Sequence, residues 1–217
     1  MKRVRGFTFA AWVAMLCLSA ILFLHGCSLP KIIILHDPLS PEEHNNLGRI
    51  YESQQQFDQA IQQYHAALKK DQNFVPSLLL LGDLSYRLKK HAEAESAYKK
   101  AMKLQPENGD IYNNLCWVYI DQNINMETAT DLVQKAMSLT PEHRPYYLDT
   151  LGVILLKSGK TVESIAALKQ AVDLISKDTP EYLSEAYAHL AEAYTAAGNM
   201  TAAHEAQQAA EKYRVAK

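Results

Sequence analysis

The chain has few glycines, prolines and cysteines, the residues whose abundance marks collagen-like, low-complexity and disulfide-rich proteins. Glycine and proline each occur 8 times in 217 residues, which excludes a collagen-like or low-complexity protein. The 3 cysteines, Cys17, Cys27 and Cys116, are too few and too scattered for a domain held together by disulfide bonds. A formal net charge of −2 provides no basic surface for a nucleic acid. The fold must therefore be stabilised by a packed apolar core, for which a hydrophobic fraction of 48% is sufficient.

Motifs typical of catalytic or metal-binding sites are also missing. The 8 histidines are scattered, with no HExxH motif and no pair at i and i+4 that would place two imidazoles on one helix face. Neither GxSxG nor a phosphate-binding glycine loop occurs. We therefore predict that the protein is not an enzyme, has no catalytic residues, and uses no metal, cofactor or small-molecule substrate.

The first 26 residues have the layout of a secretory signal. Lys2, Arg3 and Arg5 precede an apolar run in which His25 is the one ionisable residue besides Cys17. The run also reaches the roughly 20 residues that a helix needs to cross a bilayer, so an uncleaved anchor is an alternative. Cleavage would remove three basic residues and no acid, which makes the remaining chain still less suited to nucleic acid.

The end of this run, Leu24-His25-Gly26-Cys27, resembles the lipobox of bacterial lipoproteins. The resemblance implies that residues 1–26 are a lipoprotein signal peptide, and that Cys27 is lipidated and becomes the first residue. His25 departs from the small residue usual there. Ser28 implies sorting to the outer membrane, facing the periplasm. The alternatives are an inner-membrane helix that ends at Cys27 and a soluble secreted form. The lipoprotein and both alternatives place the rest of the chain outside the cytoplasm.

Residues 27–40 are predicted to form a lipidated, extended linker because Pro30 and Pro38 disfavour a helix. Within it, Ile32–Leu35 is an apolar run that either packs on the first repeat or pairs with a partner strand.

From Pro41 onward, the sequence repeats itself with a period of about 34 residues. Each repeat has a small residue preceded by leucine, at Gly48, Gly82, Cys116, Gly152 and Ala191. Small residues recur twelve positions later, at Ala60, Ala94, Thr128 or Ala129, Ser164 and Ala203, and about nineteen positions later, at Ala67, Ala101, Ala136, Ala171 and Ala210. This pattern is similar to that of the tetratricopeptide repeat family over residues 41–213.

The resemblance implies an all-α, right-handed superhelical solenoid of about five helix-turn-helix hairpins in a domain spanning residues 41–217. The expected repeats are 41–74, 75–108, 109–144, 145–178 and 184–217. Pro180 is expected to begin a longer first helix in the fifth repeat. Gly159 and Gly198 suit the position that follows a helix C-terminus.

In this family, the first helices of the hairpins line a concave groove that binds a partner segment. Carried onto this sequence, the resemblance implies groove positions at Asn45, Arg49, Asp83, Tyr86, Arg87, Asn113, Trp117, Asp149 and Lys157. Trp117 is either an interface anchor or a residue packed on the next repeat. Asn113 either binds a peptide backbone or is a polar residue near a helix start. The Lys/Asn/Arg clamp for a C-terminal carboxylate, found in some relatives, is not reproduced, so the class of peptide stays open.

The N-terminal signal and the repeats together predict a membrane-tethered scaffold or adaptor of the bacterial cell envelope. Its partners would be a protein or peptide, bound in the groove, and the membrane, bound through the N-terminal lipid. The alternative is a structural assembly component of an envelope machine for pili, secretion or polysaccharide export. Fold-level resemblance does not decide between the two.

Overall fold

The computed structural model describes residues 37–214. The predicted signal peptide, Cys27, Ile32–Leu35 and most of the linker therefore lie outside the described residues. Ten α-helices and one short 3-10 helix follow one another in the described range, with no strand between them. They are α1 (Pro41–Ser53), α2 (Phe57–Lys70), α3 (Val75–Arg87), α4 (His91–Leu104), α5 (Gly109–Gln122), α6 (Met126–Leu139), the 3-10 helix (Pro141–His143), α7 (Arg144–Lys157), α8 (Thr161–Leu174), α9 (Pro180–Ala196) and α10 (Met200–Tyr213).

Consecutive helices pack as five hairpins, and each hairpin packs on the next, which confirms the all-α solenoid. Within a hairpin the two helices pack most extensively, and the second helix then packs on the first helix of the next hairpin. First helices of successive hairpins also touch one another, whereas second helices in the described range make no comparable contact. The hairpins therefore lie closer together on the side of α1, α3, α5, α7 and α9, which forms the inner layer.

The small residue of each first helix allows the second helix to approach closely. A Cβ added to Gly48 or Gly82 would overlap the ring of Tyr64 or Tyr98, and one added to Gly152 would overlap Leu168. The predicted alanines and Ser164 fill the same crossings, and Ala129, rather than Thr128, is the buried residue in the third repeat. The buried residues around these crossings form four apolar clusters along the stack, and Leu68, Met137 and Val172 each pack against two neighbouring clusters.

Each hairpin turn has a residue with a left-handed backbone seven positions after the small inner residue, and the third turn has a second one at Asn125. The residues at the seven-position spacing are Gln55, Lys89, Asn123, Gly159 and Gly198. Gly159 and Gly198 adopt φ +75° without steric strain, which confirms their predicted role. Gln55 and Lys89 adopt the same conformation with a side chain, at a cost of about 1 kcal/mol each.

Helix starts differ from the expected repeat boundaries in the fourth and fifth repeats. Helix α7 begins at Arg144, directly after the 3-10 helix, and α9 begins at Pro180 instead of residue 184. The longer first helix predicted from Pro180 is confirmed, since α9 has 17 residues. In the third repeat the extra residue is absorbed in the turn, where Asn123 and Asn125 both have positive φ.

Candidate protein-binding groove

The inner layer presents the surface on which the sequence predicted a binding site, and we call this surface the inner groove. Seven of the predicted residues lie on its helices and are exposed or half-buried: Arg49, Asp83, Tyr86, Arg87, Asn113, Trp117 and Lys157. Because first helices of successive hairpins touch, these side chains belong to one continuous layer.

Glu52 links the first two hairpins at one end of the inner groove. Its carboxylate accepts a hydrogen bond from the hydroxyl of Tyr64 on α2 and pairs with Arg87 on α3. The Arg87 side chain remains 57% exposed. A guanidinium has five N–H donors, so most of those on Arg87 remain available to a partner.

Asp83 on α3 accepts hydrogen bonds from side chains of α4 and α5. Its Oδ1 accepts hydrogen bonds from the Tyr98 hydroxyl at 2.6 Å and from the Asn114 amide at 3.3 Å. Burial by the surrounding helices raises the pKa of Asp83, although the Tyr98 bond and the charge of Arg87 act to lower it. The carboxylate is therefore held in place by the protein, and its orientation is set before any partner arrives.

The second and third hairpins are joined by ion pairs beside Tyr86. Lys89 donates to both carboxylate oxygens of Asp121, at 2.8 and 2.9 Å, and its ammonium lies 5.6 Å from the centre of the Tyr86 ring. Burial raises the pKa of Tyr86, and the charges of Asp121 and Glu185 raise it further. Glu185 belongs to α9, so an acidic residue of the fifth hairpin contributes to the electrostatic potential at Tyr86.

Trp117 reaches across the inner groove to α9. Its ring lies 5.7 Å from that of His189, whose Nδ1 is 2.9 Å from Oδ1 of Asp149. Burial lowers the pKa of His189, but the hydrogen bond and charge of Asp149, with the charges of Glu192 and Glu185, outweigh burial and raise it. Trp117 therefore packs on a hairpin two repeats away as well as bordering the groove.

Asn45 and Asp149 were predicted to face the groove, and the structure corrects both assignments. Asn45 is 6% exposed, and its Oδ1 accepts a hydrogen bond from the Ser77 hydroxyl at 2.7 Å. Asp149 is 8% exposed and bonds His189. Both lie at the same repeat position, which faces a neighbouring first helix, so they hold hairpins together and offer no surface to a partner.

Asn113 occupies the equivalent position in the third repeat but remains half-buried. Its Oδ1 is buried without a hydrogen-bond partner among the described residues. An unpaired buried oxygen of this kind costs about 1–3 kcal/mol.

Sequence reasoning missed an aromatic pair near the starts of α7 and α9. The rings of Tyr146 and Tyr182 lie 4.7 Å apart, and Tyr182 is 48% exposed. Burial raises the pKa of Tyr182, as do Tyr146 and the nearby acids Glu181, Glu185 and Asp110. Tyr182 lies in the extra segment before the fifth repeat, at no position of the repeat pattern. An aromatic residue in that segment was the feature of the sequence that could have indicated the pair.

Between residues 37 and 214, no cluster of three histidine, cysteine, aspartate or glutamate side chains is arranged to hold a metal ion. None of the helices in that range is both apolar enough and long enough to cross a membrane. Burial raises the pKa of the Cys116 thiol to about 12, so the one cysteine in the described range is a packing residue.

Comparison with known proteins agrees with the five stacked hairpins. Residues 45–109 match the family model described as tetratricopeptide repeat. Over these residues the chain has tetratricopeptide repeats. Among curated relatives, the human protein O-mannosyl-transferase TMTC3 is 26% identical over 133 residues, which are 61% of this chain and 14% of that protein. The chain thus corresponds to a small part of that relative's length.

Solved structures show the same repeat fold. The type IV pilus biogenesis factor PilW has a TM-score of 0.70 at 20% identity, covering 82% of this chain and 79% of that one. YrrB, described as a tetratricopeptide repeat protein with an unusual peptide-binding site, has a TM-score of 0.55 at 20% identity, covering 79% and 85%. At these identities the likeness concerns the fold, which is one that supports protein or peptide partners.

Proposed function

We propose that this tetratricopeptide repeat protein is a membrane-tethered scaffold or adaptor of the bacterial cell envelope, which binds a partner segment in its inner groove. The observation that carries the proposal is the continuous inner layer, where Arg49, Tyr86 and Arg87 keep accessible polar and aromatic surface. Arginine and aromatic residues are the side chains most enriched at protein interfaces.

Preorganisation of the groove supports the same proposal. Ion pairs and hydrogen bonds fix Glu52, Asp83 and Asp121 between hairpins, so a partner would meet side chains that are already ordered. Less conformational entropy is lost on binding to such a surface. YrrB, whose fold is similar, is described as having a peptide-binding site.

Groove binding can be tested by photo-crosslinking in cells that produce the full-length chain. A photoreactive amino acid would replace Arg49 on the inner layer or, as the control, Val162 on α8. Val162 is 79% exposed and lies on the outer layer. The proposal expects a discrete crosslinked partner from position 49 and not from position 162. Equal crosslinking at the two positions would contradict it.

Tethering through the lipid is proposed from the signal layout and from Cys27, with the outer membrane as the site and the periplasm as the compartment. Metabolic labelling with a clickable fatty acid should mark the wild-type chain and not a Cys27→Ser variant. A variant that stays in the membrane without label would instead favour an uncleaved helix in the inner membrane.

A second candidate function is a structural component of an envelope assembly machine, favoured by the likeness of fold to PilW, which is named as a pilus biogenesis factor. Copurification distinguishes an assembly component from an adaptor. A stoichiometric complex of several subunits supports the assembly component, and a transient complex with one protein supports the adaptor.

A further inference from the structure

The inner groove is interrupted at the fourth hairpin. In every repeat the residue after the small inner residue occupies a groove position, and these residues are Arg49, Asp83, Trp117, Val153 and Glu192. Arg49, Asp83 and Glu192 are exposed and Trp117 is half-buried, whereas Val153 is 7% exposed. A partner segment that runs along the groove therefore finds almost no accessible surface at this position of α7.

Side chains from the hairpins on either side meet beside this position. Trp117 on α5 and His189 on α9 have ring centres 5.7 Å apart, with an angle of 31° between the ring planes. Trp117 also packs against the apolar cluster that contains Val153. Because α7 packs on both α5 and α9, the two rings connect the helices on either side of α7. We call the contact between Trp117 and His189 the Trp–His bridge.

The Trp–His bridge depends on side chains rather than on packed backbones. Helices α5 and α9, both within the described range, make no extensive contact with each other. Trp117 is half-buried, and the His189 side chain keeps 22% of its surface exposed. Rotation of these two side chains would therefore break the contact while the hairpins stay packed, and such rotations are fast in side chains that reach the surface.

The charge of His189 determines how strongly the bridge holds. Its Nδ1 lies 2.9 Å from Oδ1 and 3.1 Å from Oδ2 of Asp149 on α7. Glu185 and Glu192 stand on the same face of α9 as His189, at helical spacing before and after it. Burial lowers the pKa of His189, but Asp149 and these glutamates outweigh burial and raise it above the usual 6.5. A protonated imidazole is also attracted to an indole ring as a cation, which a neutral one is not.

We propose that the Trp–His bridge is a gate, which closes the inner groove over α7 and opens to let a partner segment contact the fourth hairpin. This inference rests on the proposed function and adds its regulation. Protonated His189 is held by Asp149 and by the ring of Trp117, so the gate is closed at low pH. The stabilisation that goes with a raised pKa is lost as the pH rises through that pKa, so the gate opens at higher pH.

Chemical access to position 153 reports on the gate without any partner. A Val153→Cys variant of the full-length chain in detergent would be treated with iodoacetamide from about pH 6 to about pH 9, and peptide mass mapping would follow that residue. Because alkylation itself becomes faster as thiols ionise, each rate is divided by that of Val162→Cys, an exposed position on the outer helix α8. His189→Gln in the same background removes the charge. His204→Gln, at an exposed position of α10, is the matched control.

We expect the relative rate at position 153 to rise by roughly two- to ten-fold across this pH range, as the loss of a cation–π contact implies. In His189→Gln the relative rate should already be high at the lowest pH and change little. His204→Gln should behave as the wild-type background does. A relative rate that does not depend on pH, or a pH dependence that persists in His189→Gln, would overturn the proposal.

Acrylamide quenching of Trp117 tests the gate without substitution of a buried residue. The chain has 2 tryptophans, so Trp12→Phe leaves Trp117 as the one source of indole fluorescence. Quenching should become more efficient as the pH rises in this variant, because the open gate exposes the indole. Addition of His189→Gln should remove that pH dependence. Equally efficient quenching at every pH would contradict the gate.

The gate and the groove function fail in different ways. Both measurements on the gate are made without a partner, so a negative result refutes the gate and leaves the crosslinking from Arg49 unaffected. If no partner crosslinks from the inner layer, the groove function itself is refuted. If a partner does crosslink from position 49, a photoreactive amino acid at position 153 should capture the same partner more efficiently in His189→Gln than in the wild type. Equal capture would show that the Trp–His bridge does not regulate the groove.

Discussion

Gly82 on α3 packs against the ring of Tyr98 on α4, and replacing it with alanine tests whether this crossing fixes the hairpin. The added Cβ would lie 2.6 Å from Cε1 of Tyr98 and 2.9 Å from Cδ1 and Cζ. Carbon atoms pack best at about 3.5–4.0 Å, so the ring must move by roughly 1 Å. Tyr98 is 2% exposed and has little space for such a shift.

Three effects decide the size of the change in stability. Alanine favours a helix over glycine by about 1 kcal/mol, which would stabilise the variant. Overpacking a core costs about 1–3 kcal/mol. Moving the ring also strains the 2.6 Å hydrogen bond from Tyr98 to the Asp83 carboxylate, a type of bond that contributes about 1.5–3 kcal/mol. We expect a net loss of about 2 kcal/mol.

Urea unfolding followed by circular dichroism measures this loss. Ala191 holds the equivalent position in the fifth repeat and provides the matched control. Sixteen positions after it the chain has Gln207 in place of the tyrosine found after Gly82. Ala191→Gly should therefore destabilise by about 1 kcal/mol through helix propensity and by about 1 kcal/mol more through the loss of a buried methyl group, with no ring to move. A Gly82→Ala variant as stable as the wild type would refute the argument that the ring contact sets the crossing.

Further predictions concern single residues. Against the effect of burial, Asp149 raises the pKa of His189 above its usual 6.5, so the protonated ring stabilises the fold below that pH. Stability should fall as the pH rises through the raised pKa, and it should fall less in His189→Gln, as measured by urea midpoints. Ser77→Ala leaves Asn45 without its buried donor and should cost about 1–3 kcal/mol in the same assay. Cys116 should resist iodoacetamide in the native protein and react in urea, as peptide mass mapping would show. Gln55→Gly removes a strained φ of 60° and should raise the unfolding temperature slightly; a lower one would contradict that reading.

The repeat fold was predictable because its geometry needs particular residue sizes at fixed spacings. A helix crossing as close as that of Gly82 on Tyr98 admits no larger inner residue, so small residues recur in the sequence at every such crossing. The turns were harder to predict. Glycine marks them in the last two repeats, but Gln55 and Lys89 adopt the same left-handed conformation under constraint from the surrounding hairpin.

The groove was predictable only in part, since its contacts join residues far apart in the sequence. A repeat position predicts the layer on which a side chain lies, and it placed Arg87 and Trp117 correctly on first helices. It does not predict the neighbour across the layer. Asn45 contacts Ser77 on the next first helix, and Trp117 contacts His189 two hairpins away. Neither neighbour follows from the position of a residue within its own repeat.

These contacts determine which residues can report on binding without disturbing the fold. Trp117 packs on His189 and on the central apolar cluster, so removing it changes the stack as well as the surface. Arg87 is 57% exposed and Tyr182 is 48% exposed, and an exposed ion pair such as that of Arg87 contributes at most about 1 kcal/mol to stability. Substitutions at these two positions should therefore have little effect on folding, so that they can be used to test recognition. Since Arg87 lies towards the first hairpin and Tyr182 at the fifth, their separate effects on one partner would also reveal how far along the inner groove its segment extends.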